Sequence, residues 1–179
     1  SQVAGTPFAV SVSGAVDQYG NPADGEVIVS GGNIAPNGIE PTHNPMVVTA
    51  GAGDTEVTLV KAETVALTGT SDSSVIKSTS PITVLAGAPS QITLSSDKTN
   101  INANGTDTAT LTAQLKDALG NNSLTSGVSI AFTAPRGTVV TSPVLTNGSG
   151  QAGTTFNSGT DENSGDVTVT ASSGVLDSG

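Results

Sequence analysis

Two aspartates, Asp17 and Asp117, stand 100 residues apart at the head of the same five-residue pattern, Asp-x-x-Gly-Asn. A carboxylate repeated in this way can do one of two things. It can ligate a hard cation such as calcium, which takes oxygen ligands from Asp, Glu and backbone carbonyls, or it can accept hydrogen bonds from the backbone of its own turn. The turn reading needs nothing outside the pattern, because Gly20 and Gly120 supply an unusual φ and Asn21 and Asn121 tolerate one. A calcium site needs further acids nearby. The clusters that could supply them are Asp17 with Asp24, and Asp161 with Glu162 and Asp166. The twelve-residue Asp-x-Asp-x-Asp-Gly loop of the common calcium motif is absent, so turn capping is expected and no cofactor is, with calcium the one ion left open.

Other reactive arrangements find little support. His43 is the only histidine, and any Ser-His-Asp constellation would have to use it. It lies in Pro41-Thr42-His43-Asn44-Pro45 with no Gly-x-Ser-x-Gly elbow in the chain, which reads as a solvated loop histidine. One histidine and no cysteine cannot build a zinc site of the usual kind. Paired carboxylates can cleave glycosides, but the acids fall mostly in turns and strand ends, and four aromatics are too few for a sugar-stacking cleft. No enzyme activity is expected. Three Asn-x-Ser/Thr sequons, at Asn104, Asn121 and Asn147, are candidate glycosylation sites if the source modifies exported proteins. A lysine–asparagine isopeptide bond across a sandwich would need a buried lysine, and Lys61, Lys77, Lys98 and Lys116 sit at positions expected to be exposed.

The elements that position these residues are strands. Aromatics make up 2% of the 179 residues, so any core is built from Val, Ile, Leu and Ala. Charged residues make up only 11%, and Ser, Thr, Asn and Gln supply the polar surface, as in a secreted β protein. A net charge of −10 disfavours nucleic acid and anionic membrane surfaces, whose binding depends on clustered Lys and Arg. The absence of cysteine removes any disulfide framework. No apolar run approaches the roughly 20 residues that span a bilayer, so direct membrane insertion is not expected. An extracellular or cell-surface location is expected.

A repeat of 100 residues is the length of one domain. The chain therefore divides into residues 1–87 and 88–179, joined at Ala86-Gly87-Ala88-Pro89. In the first part, Phe8, Val10, Val12, Gly14 and Val16 form a period-2 pattern whose even positions are expected to face the core, followed by the turn and a strand at Val27 to Val29. Gly31 to Pro45 holds three prolines and reads as a long loop with at most short edge strands. Met46 to Thr49, Glu56 to Val60, Thr64 to Thr68 and Pro81 to Leu85 complete that part. In the second, Gln91 to Leu94 opens, Ala109, Leu111, Ala113 and Leu115 face inward, and Val128 to Phe132, Thr138 to Leu145, Gln151 to Phe156 and Val167 to Ala171 follow. This is an all-β chain of two tandem sandwiches. Leu115 stands two residues before its aspartate and Val16 stands one before, so a β-bulge is expected just before one of the turns. The first domain lacks a counterpart of the opening strand at Gln91 to Leu94. The second lacks a counterpart of the closing strand at Pro81 to Leu85.

With TDTATLTAQLKDALGNN, GVSIAF, TNGSGQAGTTF and GDVTVTAS, the second domain resembles the bacterial immunoglobulin-like repeats of invasin and intimin type. The positions that carry the resemblance are Asp117, Gly120, Asn121, Gly148, Gly150, Ala152, Gly165, Val167, Val169 and Ala171. The first domain, with AGTPFAVSV and DQYGNP, resembles the same group more loosely. The resemblance implies two immunoglobulin-like β-sandwich domains and an extracellular structural or adhesive module. Such a module is a rigid spacer of a cell-surface adhesin, or a filament subunit completed by strand exchange between neighbours, whose partners are copies of itself or neighbouring repeats. The alternatives are a binding module that meets a carbohydrate or host protein through loop 31–45, the one stretch long and irregular enough for recognition, and an accessory domain of a secreted enzyme.

Overall fold

The computed structural model describes residues 1–71, 74–160, 165–174 and 176. The chain folds as two compact units, Ser1–Gly87 and Ala88–Gly179. Among the described residues all regular structure is β. The first unit contains β1 (Gln2–Val3), β2 (Pro7–Ser13), β3 (Gly25–Ser30), β4 (Thr42–His43), β5 (Met46–Val48), β6 (Ala52–Thr58), β7 (Thr64–Val65), β8 (Thr68–Ser71), β9 (Ser74–Ser78) and β10 (Ile82–Leu85). The second contains β11 (Gln91–Ser96), β12 (Thr108–Lys116), β13 (Ser129–Thr133), β14 (Thr138–Val139), β15 (Val144–Leu145), β16 (Gln151–Asn157) and β17 (Thr170–Ser172).

Each unit packs one sheet on another in an immunoglobulin-like sandwich. In the second unit the sheet β11-β12-β16-β14 faces β15-β13-β17. Alternation makes this possible: Ala109, Leu111, Ala113 and Leu115 of β12 are buried, while Thr110 points out. Leu111, Ala113 and Leu115 meet Ile92, Ile130, Phe132, Ala152, Phe156 and Ala171 in one core, each square ångström of apolar area contributing about 25 cal/mol. The first unit places β2-β6-β4 opposite β5-β3-β8-β9, with a third sheet, β1-β10-β7, beside them. Met46, Val57, Leu59 and Leu67 are its most deeply buried side chains.

The parity mismatch before the first turn is resolved by one glycine. Ser13 pairs with Ala52, and the next bond to that strand is from the Ala15 N–H to the Gly51 carbonyl, so two residues advance on β2 for one on its partner. Gly14, at φ 71°, is the extra residue of this bulge. In the second unit the advance is regular, from Gln114 opposite Gln151 to Leu115 N–H on the Gly150 carbonyl. Ala15 thus occupies the place of Leu115. Val16, expected to face inward, is 59% exposed.

Several predicted strands are shorter or divided. Thr138 to Leu145 becomes β14 and β15, which join opposite sheets. Thr64 to Thr68 likewise divides between β7 and β8. Leu59 and Val60 are buried but lie beyond β6, and of Val167 to Ala171 only Thr170 and Ala171 fall in a strand. The first unit does begin with a strand, β1, but it runs parallel to β10 rather than along β2. The edge of β2 that corresponds to the one covered by β11 in the second unit therefore has no strand on it among the described residues.

Candidate functional site

The two aspartate turns are built atom for atom alike. In the first, Asp17 Oδ1 accepts the N–H groups of Tyr19 at 2.8 Å and Asn21 at 2.9 Å, and Oδ2 accepts the Asn21 side-chain amide at 3.1 Å. In the second, Asp117 Oδ1 accepts Leu119 and Asn121 N–H, both at 2.9 Å, and Oδ2 accepts the Asn121 amide at 3.0 Å. The backbone closes both loops in the same way: Asp17 N–H donates to the Asn21 carbonyl at 2.8 Å and Asp117 N–H to the Asn121 carbonyl at 2.9 Å. Gly20 and Gly120 sit at φ 87° and 82°, a left-handed conformation that glycine adopts without cost.

The turns differ in burial. Asp117, Asn121 and Ser123 are each no more than 3% exposed, whereas Asp17 and Asn21 face solvent. The Lys116 ammonium reaches over the second turn to the Gly120 carbonyl at 3.2 Å and Asn122 Oδ1 at 2.9 Å. Lys116 is thus half-buried rather than exposed as expected. Gly150 lies so close to the Ser123 carbonyl that a Cβ there would overlap it, which explains why this neighbour is a glycine. In the first turn, Val16 stands where Lys116 does and Tyr19 is 80% exposed. The Asn21 amide, followed by the Asn21 and Tyr19 N–H groups, holds the Asp17 carboxyl below its ordinary value of 3.8.

In both turns each carboxylate oxygen accepts a hydrogen bond from its own turn. Asp24 does not join Asp17: its Oδ1 accepts Ala50 N–H at 2.6 Å, fastening a turn in which Ala50 adopts φ 52°. Asp161 and Glu162 lie outside the described residues, and Asp166 is exposed with its backbone carbonyl taken by the Arg136 guanidinium at 3.0 Å. Among the described residues no group of three or more His, Asp or Glu side chains converges as a metal centre would require.

An unpredicted carboxylate hub is Asp107. Its Oδ1 accepts the Lys98 ammonium at 2.6 Å and Oδ2 accepts Asn102 N–H at 3.0 Å. The Lys98 bond is the main reason its carboxyl also lies below the ordinary value. His43 is not a free loop residue either. It sits half-buried in β4, opposite Val57, with Nε2 at 2.6 Å from the Gly31 carbonyl. The loop 31–45 is further tethered by Glu63, which accepts Asn33 N–H at 2.8 Å and the Asn33 amide at 2.7 Å, and by buried Ala35.

The sequons separate on burial. Asn104 and Asn147 are exposed, each with Oδ1 accepting backbone N–H groups of its own turn. Asn121 is 3% exposed and its side-chain amide donates to Asp117, so in the folded chain it is far less accessible than the other two. Lys77 carries no described side chain, Lys61 lies 3.7 Å from Glu63, and Lys98 is paired with Asp107.

The family model described as "Invasin, domain 3" matches residues 88–177, half of the chain. The chain belongs to that family. It is an immunoglobulin-like module of the extracellular adhesin type. No curated protein matches it. Among solved structures, the D0-D1 domain of intimin is similar at 18% identity, over 99% of this chain and 90% of that one, with a TM-score of 0.43. Invasin, described as a bacterial integrin-binding protein, is similar at 19% identity over 96% of this chain, with a TM-score of 0.41. A glycosyl hydrolase family 2 member from Bacteroides cellulosilyticus is similar at 18% identity over 95%, with a TM-score of 0.48. The chain spans 37% of the invasin chain and 27% of the hydrolase. In this invasin-family unit the Asp117 turn is closed by its own hydrogen bonds.

Two predictions follow from the turns' unequal burial. Replacing Asp117 by Ala leaves Leu119 N–H, Asn121 N–H and a buried amide without their acceptor. Each such group costs about 1–3 kcal/mol, so Asp117→Ala is expected to lower stability in urea denaturation by about 3 kcal/mol, and Asp17→Ala by clearly less. The second concerns acid. The folded-state pKa of Asp17 is lowered, so its contribution is fully present above pH 3.8 and is lost as pH falls through the lowered value. Thermal midpoints of Asp17→Asn are expected to fall less steeply than the parent's below pH 3.8; parallel curves would refute the assignment.

Proposed function

We propose that this chain is a spacer segment of an extracellular surface adhesin, in which tandem immunoglobulin-like units hold other parts of the protein away from the cell. The match of residues 88–177 to an invasin module carries the reading. It is supported by the recurrence of the same aspartate turn 100 residues earlier, in a unit with the same sandwich plan. Spacing requires folded units and a short connection, and residues Ala86-Gly87-Ala88-Pro89 between β10 and β11 provide one. It requires no reactive group, and both turn carboxylates are committed to their own turns. The partners of such a segment are neighbouring modules, with host proteins or glycans met elsewhere in the adhesin. Loop 31–45 supports a recognition role weakly. It is tethered through Asn33 and His43, and its Ile34 and Ile39, about half exposed, are ordinary isolated surface aliphatics.

The edge of β2 that carries no strand among the described residues favours a second reading, a filament subunit that borrows a strand from its neighbour. Size-exclusion chromatography with light scattering, beside negative-stain electron microscopy, separates the two. A spacer segment is expected to remain monomeric at micromolar concentration, as its net charge of −10 also favours. A concentration-dependent ladder or filaments would replace the spacer reading with strand exchange.

A further inference from the structure

The five-residue turn of Asp17 and Asp117 occurs a third time, with different side chains at its two ends. In Asn147-Gly148-Ser149-Gly150-Gln151 the Asn147 N–H donates to the Gln151 carbonyl at 2.8 Å and the Gly150 N–H returns to the Asn147 carbonyl at 2.9 Å, as in the Asp117 turn. Asn147 Oδ1 accepts Ser149 N–H at 2.9 Å and Gln151 N–H at 3.1 Å, the bonds that Asp117 Oδ1 takes from Leu119 and Asn121. Gly150, at φ 70°, stands where Gly120 does. An asparagine heads this turn in place of an aspartate, and Gly148 follows it where Gln18 and Ala118 stand in the other two. The fold does not require that glycine: its φ is not left-handed, and a Cβ there would meet nothing within 4 Å.

An asparagine before a glycine can lose its amide, because the next backbone nitrogen can attack the side-chain carbonyl when no side chain crowds its approach. Three such pairs occur, at Asn37, Asn104 and Asn147. They differ at the nucleophile. Gly38 N–H donates to the Ala35 carbonyl and Gly105 N–H to the Gly159 carbonyl, both at 2.9 Å, and a proton held in this way is given up less readily. Gly148 N–H has no hydrogen-bond partner among the described residues, and neither has Asn147 Nδ2, the group that would leave. Residues 147–149 are all exposed, so water reaches them. The Ser149 N–H···Oδ1 bond closes a ring that contains both Asn147 Cγ and the Gly148 nitrogen, which keeps electrophile and nucleophile on one small loop.

We propose that Asn147 is a self-modification site that becomes aspartate by intramolecular deamidation, with water as the co-reactant. Solvent takes the Gly148 N–H proton, and the nitrogen bonds to Asn147 Cγ. Negative charge then builds on Oδ1, toward which the Ser149 and Gln151 N–H groups already point, the arrangement that stabilises an oxyanion. Collapse breaks the Cγ–Nδ2 bond, and Nδ2 takes a proton from solvent and leaves as ammonia. Water adds at Cγ of the resulting cyclic imide and breaks its bond to the Gly148 nitrogen, which regains its proton. The carboxylate so formed keeps both Oδ1 bonds, and the turn becomes one of the kind seen at Asp17 and Asp117. Opening of the imide at its other carbonyl gives isoaspartate, which lengthens the backbone and breaks the pairing of residues 147 and 151; the turn therefore selects aspartate. The change adds a negative charge between β15 and β16 and removes the amide that the sequon at Asn147 offers for glycosylation.

The test holds the full chain in mildly alkaline buffer for days and reads aspartate and isoaspartate at positions 37, 104 and 147 by peptide mapping with mass spectrometry. In the folded chain Asn147 is expected to convert roughly fivefold faster than Asn37 and Asn104, the factor to which one hydrogen bond at the attacking nitrogen corresponds. Its product is expected to be mainly aspartate. In urea, where the three pairs no longer differ in structure, their rates are expected to converge. Gly148→Ala is expected to bring the rate at Asn147 down to that of the other two or below, with the thermal midpoint unchanged, because the added methyl meets open space. Conversion at Asn147 no faster than at Asn37 and Asn104 in the folded chain would overturn the proposal. So would a rate that Gly148→Ala leaves unaltered, or a product that is mainly isoaspartate.

Discussion

A carboxylate with both oxygens committed to the protons of its own five-residue turn is the constraint from which each unit is built. The turn stands where the chain leaves one sheet, through β2 or β12, and crosses to the other, through β3 or β13. A strand's register decides which face every side chain meets, so fixing the exit of one strand and the entry of the next sets both sheets at once. The bulge at Gly14 shows the force of this constraint. The strand takes on an extra residue while the bonds around the turn keep the lengths seen at Asp117.

The cores explain why turns matter so much here. With Phe8, Phe132 and Phe156 the only phenylalanines, most of the buried area comes from Val, Ile, Leu and Ala, and small side chains contribute correspondingly less on burial. Close backbone approach compensates. A Cβ on Gly53 would overlap the Val47 carbonyl, and one on Gly137 would meet the Phe156 ring at 2.6 Å. Buried polar groups are then affordable only when satisfied, as Asp117, Asn121, Thr146 and Thr154 are.

The aspartate turns, the alternation of β12 and the need for a bulge were readable from residue types, because Asp, Gly, Asn and period-two patterning act locally. The division of Thr138 to Leu145 between two sheets was not, since alternation states which face is apolar but not which sheet the strand joins. The same limit hid β1, two residues long and paired with a strand about 80 positions away. A sequon reports local chemistry and not burial, so Asn121 looked as available as Asn104. Lys98 and Asp107, nine positions apart in an irregular connection, follow no period that would bring them together. His43 read as a solvated residue between prolines, because its bond to Gly31 depends on the path of the whole loop.

We propose that the repeated carboxylates serve their own turns and not an ion. This is tested most directly by titrating the chain with calcium to millimolar concentration while following the amide resonances of Tyr19, Asn21, Leu119 and Asn121. All four are expected to stay in place, because both oxygens of each aspartate already have partners. Saturable shifts at either set of amides would contradict the account and make the turn a cation site.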